Sequence, residues 1–412
     1  MKQNYTCLKW ACYTTNITMA IVSNLSPVLF LTFRALYGTS YSLLGLLVLI
    51  NFSTQLTVDL IFSFFSHKFD ISKTVKITPV LGVIGLVIYS MYPFIFPNNI
   101  YLGLTIGTII FSASSGLAEV LISPVIAAIP ADNPDREMSK LHSVYAWGSV
   151  GVVVLSTLFL LVLGSENWQW LALIFSLIPL VSSILFRYAQ IPKLETPEHV
   201  SGALDMLHNP TLWLFVIAIF IGGASECTMA QWCSSYLEKA LSIPKIWGDM
   251  FGVALFGVML GLGRTLYAKI GKNMESVLFL GCIGATACYL ITALTNSPFI
   301  GLLACGLTGL CTSMLWPGNL VVSSERITNG GVFLYAMMAA GGDFGASAGP
   351  QLVGIVTDLT LKSEKMFHLA DRLSLTPEQL GMKCGLITGM LFPLVGIGIF
   401  LYILKTKGKN YE

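Results

Sequence analysis

Ser112, Ser115, Glu119 and Ser123 are spaced so that an α-helix carries them on one face, a carboxyl among hydroxyls. Such a face can take up and release a proton. Desolvation disfavours the ionised carboxylate, while water or a hydroxylated ligand favours it, so protonation and occupancy become linked. A second polar stripe, Asn51, Gln55 and Asp59, recurs at every fourth residue. Its acid has two equally weighted readings, a proton-handling group or the partner of a nearby lysine or arginine. Glu226 follows Gly222-Gly223-Ala224-Ser225, a stretch where a helix can loosen and expose carbonyls. Asp343 stands among glycines and alanines, a composition that packs helices closely. Glu119, Glu226 and Asp343 are therefore the candidate proton-coupling acids.

A second set of residues suits a polar solute. A sugar presents a ring of hydroxyls and one apolar face, so its pocket needs amide or imidazole groups beside an aromatic platform. Asn24, Gln55, His142, Tyr145, Trp147, Gln231, Trp232, Trp316 and Asn319 supply both kinds. Packing between helices is the competing reading for each of them. Trp10, Trp168, Trp170, Trp213 and Trp247 fall near the ends of apolar runs and read as anchors at a membrane surface.

The elements that position these side chains follow from composition. The 412 residues are 55% hydrophobic and 11% charged, with a mean hydropathy of +0.75, values of a chain made for lipid. A span of the hydrocarbon core takes roughly 20 helical residues. Runs of that kind recur at 10–33, 41–66, 77–96, 100–129, 142–163, 168–187, 211–237, 247–268, 276–294, 298–322, 331–357 and 384–404, which predicts an all-α polytopic membrane protein with twelve transmembrane helices. Each candidate acid falls inside one of these runs, where an ionised side chain costs about 2.5–3.5 kcal/mol at the centre.

Basic residues set the orientation. With both termini in the cytoplasm, 16 of the 23 Lys and Arg fall on the inner side, including Arg264 and Arg326; four of the remaining seven, Lys362, Lys365, Arg372 and Lys383, fall in the long loop before the last span. The expected location is therefore the cytoplasmic (inner or plasma) membrane. The first apolar run holds Asn16, Thr18 and Asn24 and lacks a small-residue cleavage pattern, so it is expected to remain as the first helix. The nine cysteines show no metal-ligand spacing and read as packing residues; no metal and no cofactor are expected. A net charge of +2 gives no reason to expect nucleic acid. The stretch from Arg187 to Pro210 is the longest inner connection, and it divides the chain into a bundle of six spans at 1–188, a linker at 189–210 and a second six-span bundle at 211–412.

The two bundles share a sequence frame. Ser115-Gly116-Leu117 through Pro124 returns 193 residues later as Thr308-Gly309-Leu310 through Pro317, and the same offset aligns Leu141 with Leu334, Ala146 with Ala339 and Gly148 with Gly341. Six-span halves repeated in parallel are a mark of secondary transporters, whose substrate sites lie near the midplane between halves. Glu119 has Thr312 as its counterpart, so the frame does not require an acid there.

Twelve spans, a central linker, the basic loop Ala268-Lys269-Ile270-Gly271-Lys272-Asn273, its degenerate partner His67-Lys68-Phe69-Asp70-Ile71-Ser72-Lys73, and the run Ala339 through Pro350 to Asp358 together resemble the major facilitator superfamily. The resemblance covers almost the whole chain and implies two six-helix halves related by a pseudo-two-fold axis, with Lys269, Gly271 and Lys272 in gating. Three stretches look like its fucose permease branch, the sugar:proton symporters: Asn24-Leu25-Ser26-Pro27 with Phe33-Arg34, Leu141 to Gly148, and Glu226 through Gln231-Trp232 to Tyr236-Leu237. Glu119 stands where that branch carries a fourth-helix glutamate implicated in proton coupling, whereas Pro27 replaces its first-helix aspartate.

Three classes of function follow. The first is a proton-coupled importer of a sugar or similar polar solute, working as a monomer by alternating access. The second is an exporter of amphipathic or cationic compounds, using the same acids as counter-charges. A membrane enzyme is disfavoured, because the chain has no soluble catalytic domain, nucleotide-binding glycine loop or metal cluster. The amide-bearing candidates favour the importer.

Overall fold

Peptide groups in lipid find no water, so each apolar run satisfies its own hydrogen bonds by coiling into a helix. The computed structural model describes residues 5–65, 68–130, 134–192, 206–270, 273–327 and 331–406. Its first five spans are Thr6–Tyr37, Tyr41–Phe65, Ile71–Ile95, Ile100–Ala127 and Pro134–Leu163, and the sixth comes in two pieces, Trp168–Phe175 and Leu177–Tyr188. The seventh is Pro210–Leu241. The eighth begins at Lys245, passes through a wide turn at Gly248–Val253 and continues as Ala254–Ile270. Met274–Leu294 is the ninth, Pro298–Thr312 and Pro317–Arg326 form the tenth, and Gly331–Lys362 and Pro377–Lys405 are the last two. Among the described residues ten of these are long and apolar enough to cross a membrane. The fifth supplies the shorter apolar run Trp147–Leu163, and the eleventh is diluted by its Gly-Gly-Asp and Gly-Pro-Gln segments. The predicted all-α polytopic fold is present, with a helix at each predicted span.

Local chemistry explains where several helices begin. Pro210, Pro298 and Pro377 occupy first-turn positions, where a missing N–H costs nothing. Thr376 and Gln379 cap the twelfth span reciprocally, Gln379 N–H donating to Thr376 Oγ1 at 3.1 Å and Thr376 N–H to Gln379 Oε1 at 2.9 Å. That cap starts the helix seven residues before the predicted 384, so Lys383 lies in the span and not in the preceding loop. Buried there, its ammonium donates to the carbonyls of Ala293 and Thr295 at 3.0 and 2.6 Å, capping the end of the ninth span. Asp70, in the short loop after the second span, caps the third through Lys73 N–H at 3.1 Å, and this bond holds its carboxyl below the usual carboxylate range.

Packing divides the chain into two compact units, Met1–Thr32 with Ile50–Ser201, and Phe33–Leu49 with Gly202–Glu412. Within the first, Tyr89 is fully buried against Phe111 and Trp168 at ring separations of 5.4 and 5.8 Å, its hydroxyl 2.9 Å from that of Ser26. The second unit carries a segment from early in the chain, the end of the first span, a turn at Gly38 with φ of +65°, and the start of the second. Four side chains secure this segment. The Asp358 carboxylate accepts from the N–H groups of Tyr41 and Ser42 at 3.1 and 2.7 Å, neutralising the exposed amides at the start of the second span. Glu378 accepts from Arg34 Nε at 3.1 Å and from the Tyr41 hydroxyl at 2.6 Å, while the Arg34 guanidinium lies 4.0 Å from the Tyr41 ring centroid. Charge-assisted bonds of this kind contribute about 1.5–3 kcal/mol each. Asp358→Ala is expected to lower the midpoint of thermal unfolding in detergent, with a loss of about 2 kcal/mol or more.

Candidate functional site

The two polar stripes of the first unit face each other. Ser112 donates to Asn51 Oδ1 at 2.6 Å, and Gln55 Nε2 donates to the same oxygen at 2.9 Å. One turn further along, Gly116 brings the fourth span against the second, since a Cβ there would stand 3.1 Å from the Cα and carbonyl oxygen of Gln55 and from Val58. The next turn brings Asp59 and Glu119 into one another's field. The two helices run in parallel register: Asn51 with Ser112, Gln55 with Gly116, Asp59 with Glu119. Asn51, Gln55, Ser112 and Ser115 are buried, Asp59 is half-buried with Oδ1 enclosed and no donor on it among the described residues, and Glu119 is exposed. The seam is thus closed at its amide end and open at its acid end.

The other candidates of this unit gather on the first and fifth spans. The Tyr145 hydroxyl donates to Ser23 Oγ at 3.3 Å, next to Asn24, whose amide donates back to the Ala20 carbonyl at 2.8 Å. Trp147 is 76% exposed on its helix. The side chain of His142 lies outside the described residues.

In the second unit the shared Gly309 plays the part of Gly116. A methyl group there would fall on the Phe256 carbonyl oxygen, so the tenth and eighth spans touch through backbone. Four residues further on, the tenth span breaks over Ser313–Trp316. Pro317 has no N–H to give the carbonyl of Ser313 four residues before it, which leaves that oxygen without its helical partner. Arg264 supplies one, Nε donating at 3.1 Å. Its NH2 group stands 3.7 Å from Glu226 Oε1, an ion pair too long for a hydrogen bond, and Glu226 Oε2 is enclosed with no donor among the described residues. Asp343 is buried on the eleventh span, and Cys227 lies in the field of both Asp343 and Glu226. Trp316 is half-buried, its ring filling the space that side chains at Gly223 and Gly342 would need. Asn319 is buried and donates to the Leu315 carbonyl at 2.6 Å. Trp232 is buried in helix packing, its indole N–H donating to the Pro350 carbonyl at 2.9 Å and its ring 5.9 Å from that of Tyr41. Gln231 is half-buried beside it. The Lys269 side chain and all of Gly271 and Lys272 lie outside the described residues.

Two features escaped the sequence reading, the reach of Arg264 and the buried Asp249. Arg264 reads there as a charge near the inner end of its span, and its side chain reaches Glu226 at the middle of the seventh span. Asp249, fully buried at the wide turn of the eighth span, accepts from Ser234 and pairs with Lys245 at 3.1 Å. The spacing of Lys245 and Asp249, four residues apart, is the signal that could have found it. For Arg264 the signal is Pro317, which announces an orphaned carbonyl without saying what answers it.

The sequence profile described as Major Facilitator Superfamily matches residues 11–350. No relative among curated proteins matches the sequence. Among solved structures, a bacterial homolog of the human lysosomal transporter Spinster, in an inward-facing and occupied conformation, is 13% identical with a TM-score of 0.71, over 99% of this chain and 98% of that one. A D-xylose-proton symporter is 15% identical with a TM-score of 0.69, over 99% and 100%. The fucose:proton symporter of E. coli is 14% identical with a TM-score of 0.58, over 96% and 99%. At these identities the likeness is one of fold.

Proposed function

The chain belongs to the major facilitator superfamily, and from that premise we propose that this multi-pass transporter moves a small polar solute, a sugar or sugar derivative, by alternating access coupled to protons. The observation that carries the reading is the seam between the second and fourth spans, ending in Asp59 and Glu119. Two carboxylates held together within a membrane repel when both are ionised, and one proton shared between them relieves that repulsion. Glu119 is the exposed member and exchanges the proton; the Asn51 and Gln55 amides hold the second span in register. Of the candidate solute-binding side chains, Asn24 and Tyr145 are half-buried in the first unit, and Gln231 and Trp316 are half-buried in the second. The similar folds of a fucose:proton symporter and a D-xylose-proton symporter support the solute class and the coupling.

In the same proposal the six-span halves are 1–188 and 211–412, both termini are cytoplasmic, and the monomer is the working unit in the cytoplasmic membrane. Transport in proteoliposomes tests the central claim. Uptake of a labelled solute is expected to exceed equilibration when the lumen is more alkaline than the bath, and a protonophore is expected to abolish the excess. Uptake indifferent to the imposed gradient would sink proton coupling.

A further inference from the structure

Arg264 is committed to its place by a defect in another helix. The Ser313 carbonyl, deprived of its partner by Pro317, takes the Nε proton and fixes the plane of the guanidinium. A guanidinium carries five N–H donors, and among the described residues this is the one that makes a hydrogen bond. The remaining fork stands near Glu226 without bonding it, and the side chain is 47% exposed. An enclosed carboxylate is well placed only when its lone pairs are satisfied, and here Glu226 Oε2 has no donor among the described residues while the Arg264 fork stays open. The arrangement has the properties of a receptor for a planar anion: a cation oriented from behind, an open fork, and a neighbouring acid held close enough to be displaced.

We propose that Arg264 binds a carboxylate group of the transported solute, and that Glu226 accepts a proton as the carboxylate takes its place beside the guanidinium. The inference rests on the transporter reading and narrows its solute to polar organic acids, such as sugar acids. A carboxylate matches the planar fork bidentately. It also balances charge: one negative charge arrives, one proton neutralises Glu226, and the site keeps the net charge it had. A phosphate monoester would leave excess negative charge inside the membrane. The groups facing Glu226 fit this exchange. Arg264 is on the eighth span, Cys227 is its own neighbour, and Asp343 on the eleventh shares the field of Cys227. Tyr289 on the ninth span donates its hydroxyl to the Ser225 carbonyl at 2.8 Å, next to Glu226 in the chain.

Binding to purified protein tests this without any gradient, so its outcome is independent of the coupling experiment above. The probes are D-glucuronate, D-gluconate and pyruvate, with D-glucose as the neutral match and glucose 6-phosphate as the phosphate. At least one carboxylate is expected to raise the unfolding temperature and to bind at least tenfold more tightly than glucose. Arg264→Gln is expected to remove that protection. Arg264→Lys, which keeps the charge and the fold, is expected to weaken it at least tenfold. In weakly buffered solution the native protein is expected to take up about one proton per carboxylate bound, and Glu226→Gln none. Glucose binding as tightly as every carboxylate, carboxylate binding unchanged in Arg264→Lys, tighter binding of the phosphate, or no protection by any of the three carboxylates would each overturn the proposal.

Discussion

Glu119→Gln is expected to remove the gradient-driven accumulation that its own proton supports while leaving exchange of internal for external solute intact. A pH difference of one unit is worth about 1.4 kcal/mol per proton and supports roughly tenfold accumulation for each proton carried. Glutamine keeps the size and hydrogen-bonding capacity of the side chain and removes only its titration, so the ratio should fall about tenfold, whatever proton a carboxylate solute brings to Glu226. Exchange requires the solute and the conformational change but no net proton movement, which makes it the internal control. Labelled solute followed in proteoliposomes, with and without an imposed gradient, reads both quantities from one preparation. If exchange fails together with accumulation, Glu119 holds the solute or the fold and the coupling assignment is wrong.

The second large effect lies in the repeated frame. Gly309 meets the Phe256 carbonyl oxygen across the tenth and eighth spans, and no flexible side-chain end is there to yield. Helices in lipid gain little from burying apolar surface against one another, so close backbone approach is a main source of their association. Gly309→Val must push the two helices apart and is expected to cost about 3 kcal/mol, enough to deplete the monodisperse peak in detergent size exclusion. Gly257, on the same eighth span, has nothing within 4 Å of an added Cβ. Gly257→Ala is expected to leave that peak within error of the native protein. Equal behaviour of the two variants would show that the tenth and eighth spans do not depend on this crossing.

These two positions show how far local pattern reaches. The spans were readable because hydropathy and helical length are properties of neighbouring residues. The stripes Asn51-Gln55-Asp59 and Ser112-Ser115-Glu119 were readable too, since a period of about 3.6 residues places them on one face. Their meeting was not, because nothing in either stripe names the helix that will face it; Gly116 and Ser112 settle that only once the second and fourth spans are side by side. Trp232 illustrates the converse. Its type suited a sugar platform, while its surroundings are set by the Pro350 carbonyl and Tyr41, both over a hundred residues away in sequence. The partner of Arg264 was hidden for the same reason: its long side chain reaches a carbonyl freed 49 residues downstream.

The segment Phe33–Leu49 has a consequence for dissecting the molecule. Because it belongs by sequence to the first half and by packing to the second, a polypeptide severed in the central connection cannot give two self-sufficient fragments. The amino-terminal fragment would carry Arg34, Tyr41 and Ser42 without Glu378 and Asp358, and the carboxy-terminal fragment would carry those acids with nothing to accept from. Each piece would thus display the handle by which the other is recognised. Co-expressed halves would be drawn to reassemble, so this chain is a natural template for a split reporter of membrane-protein assembly.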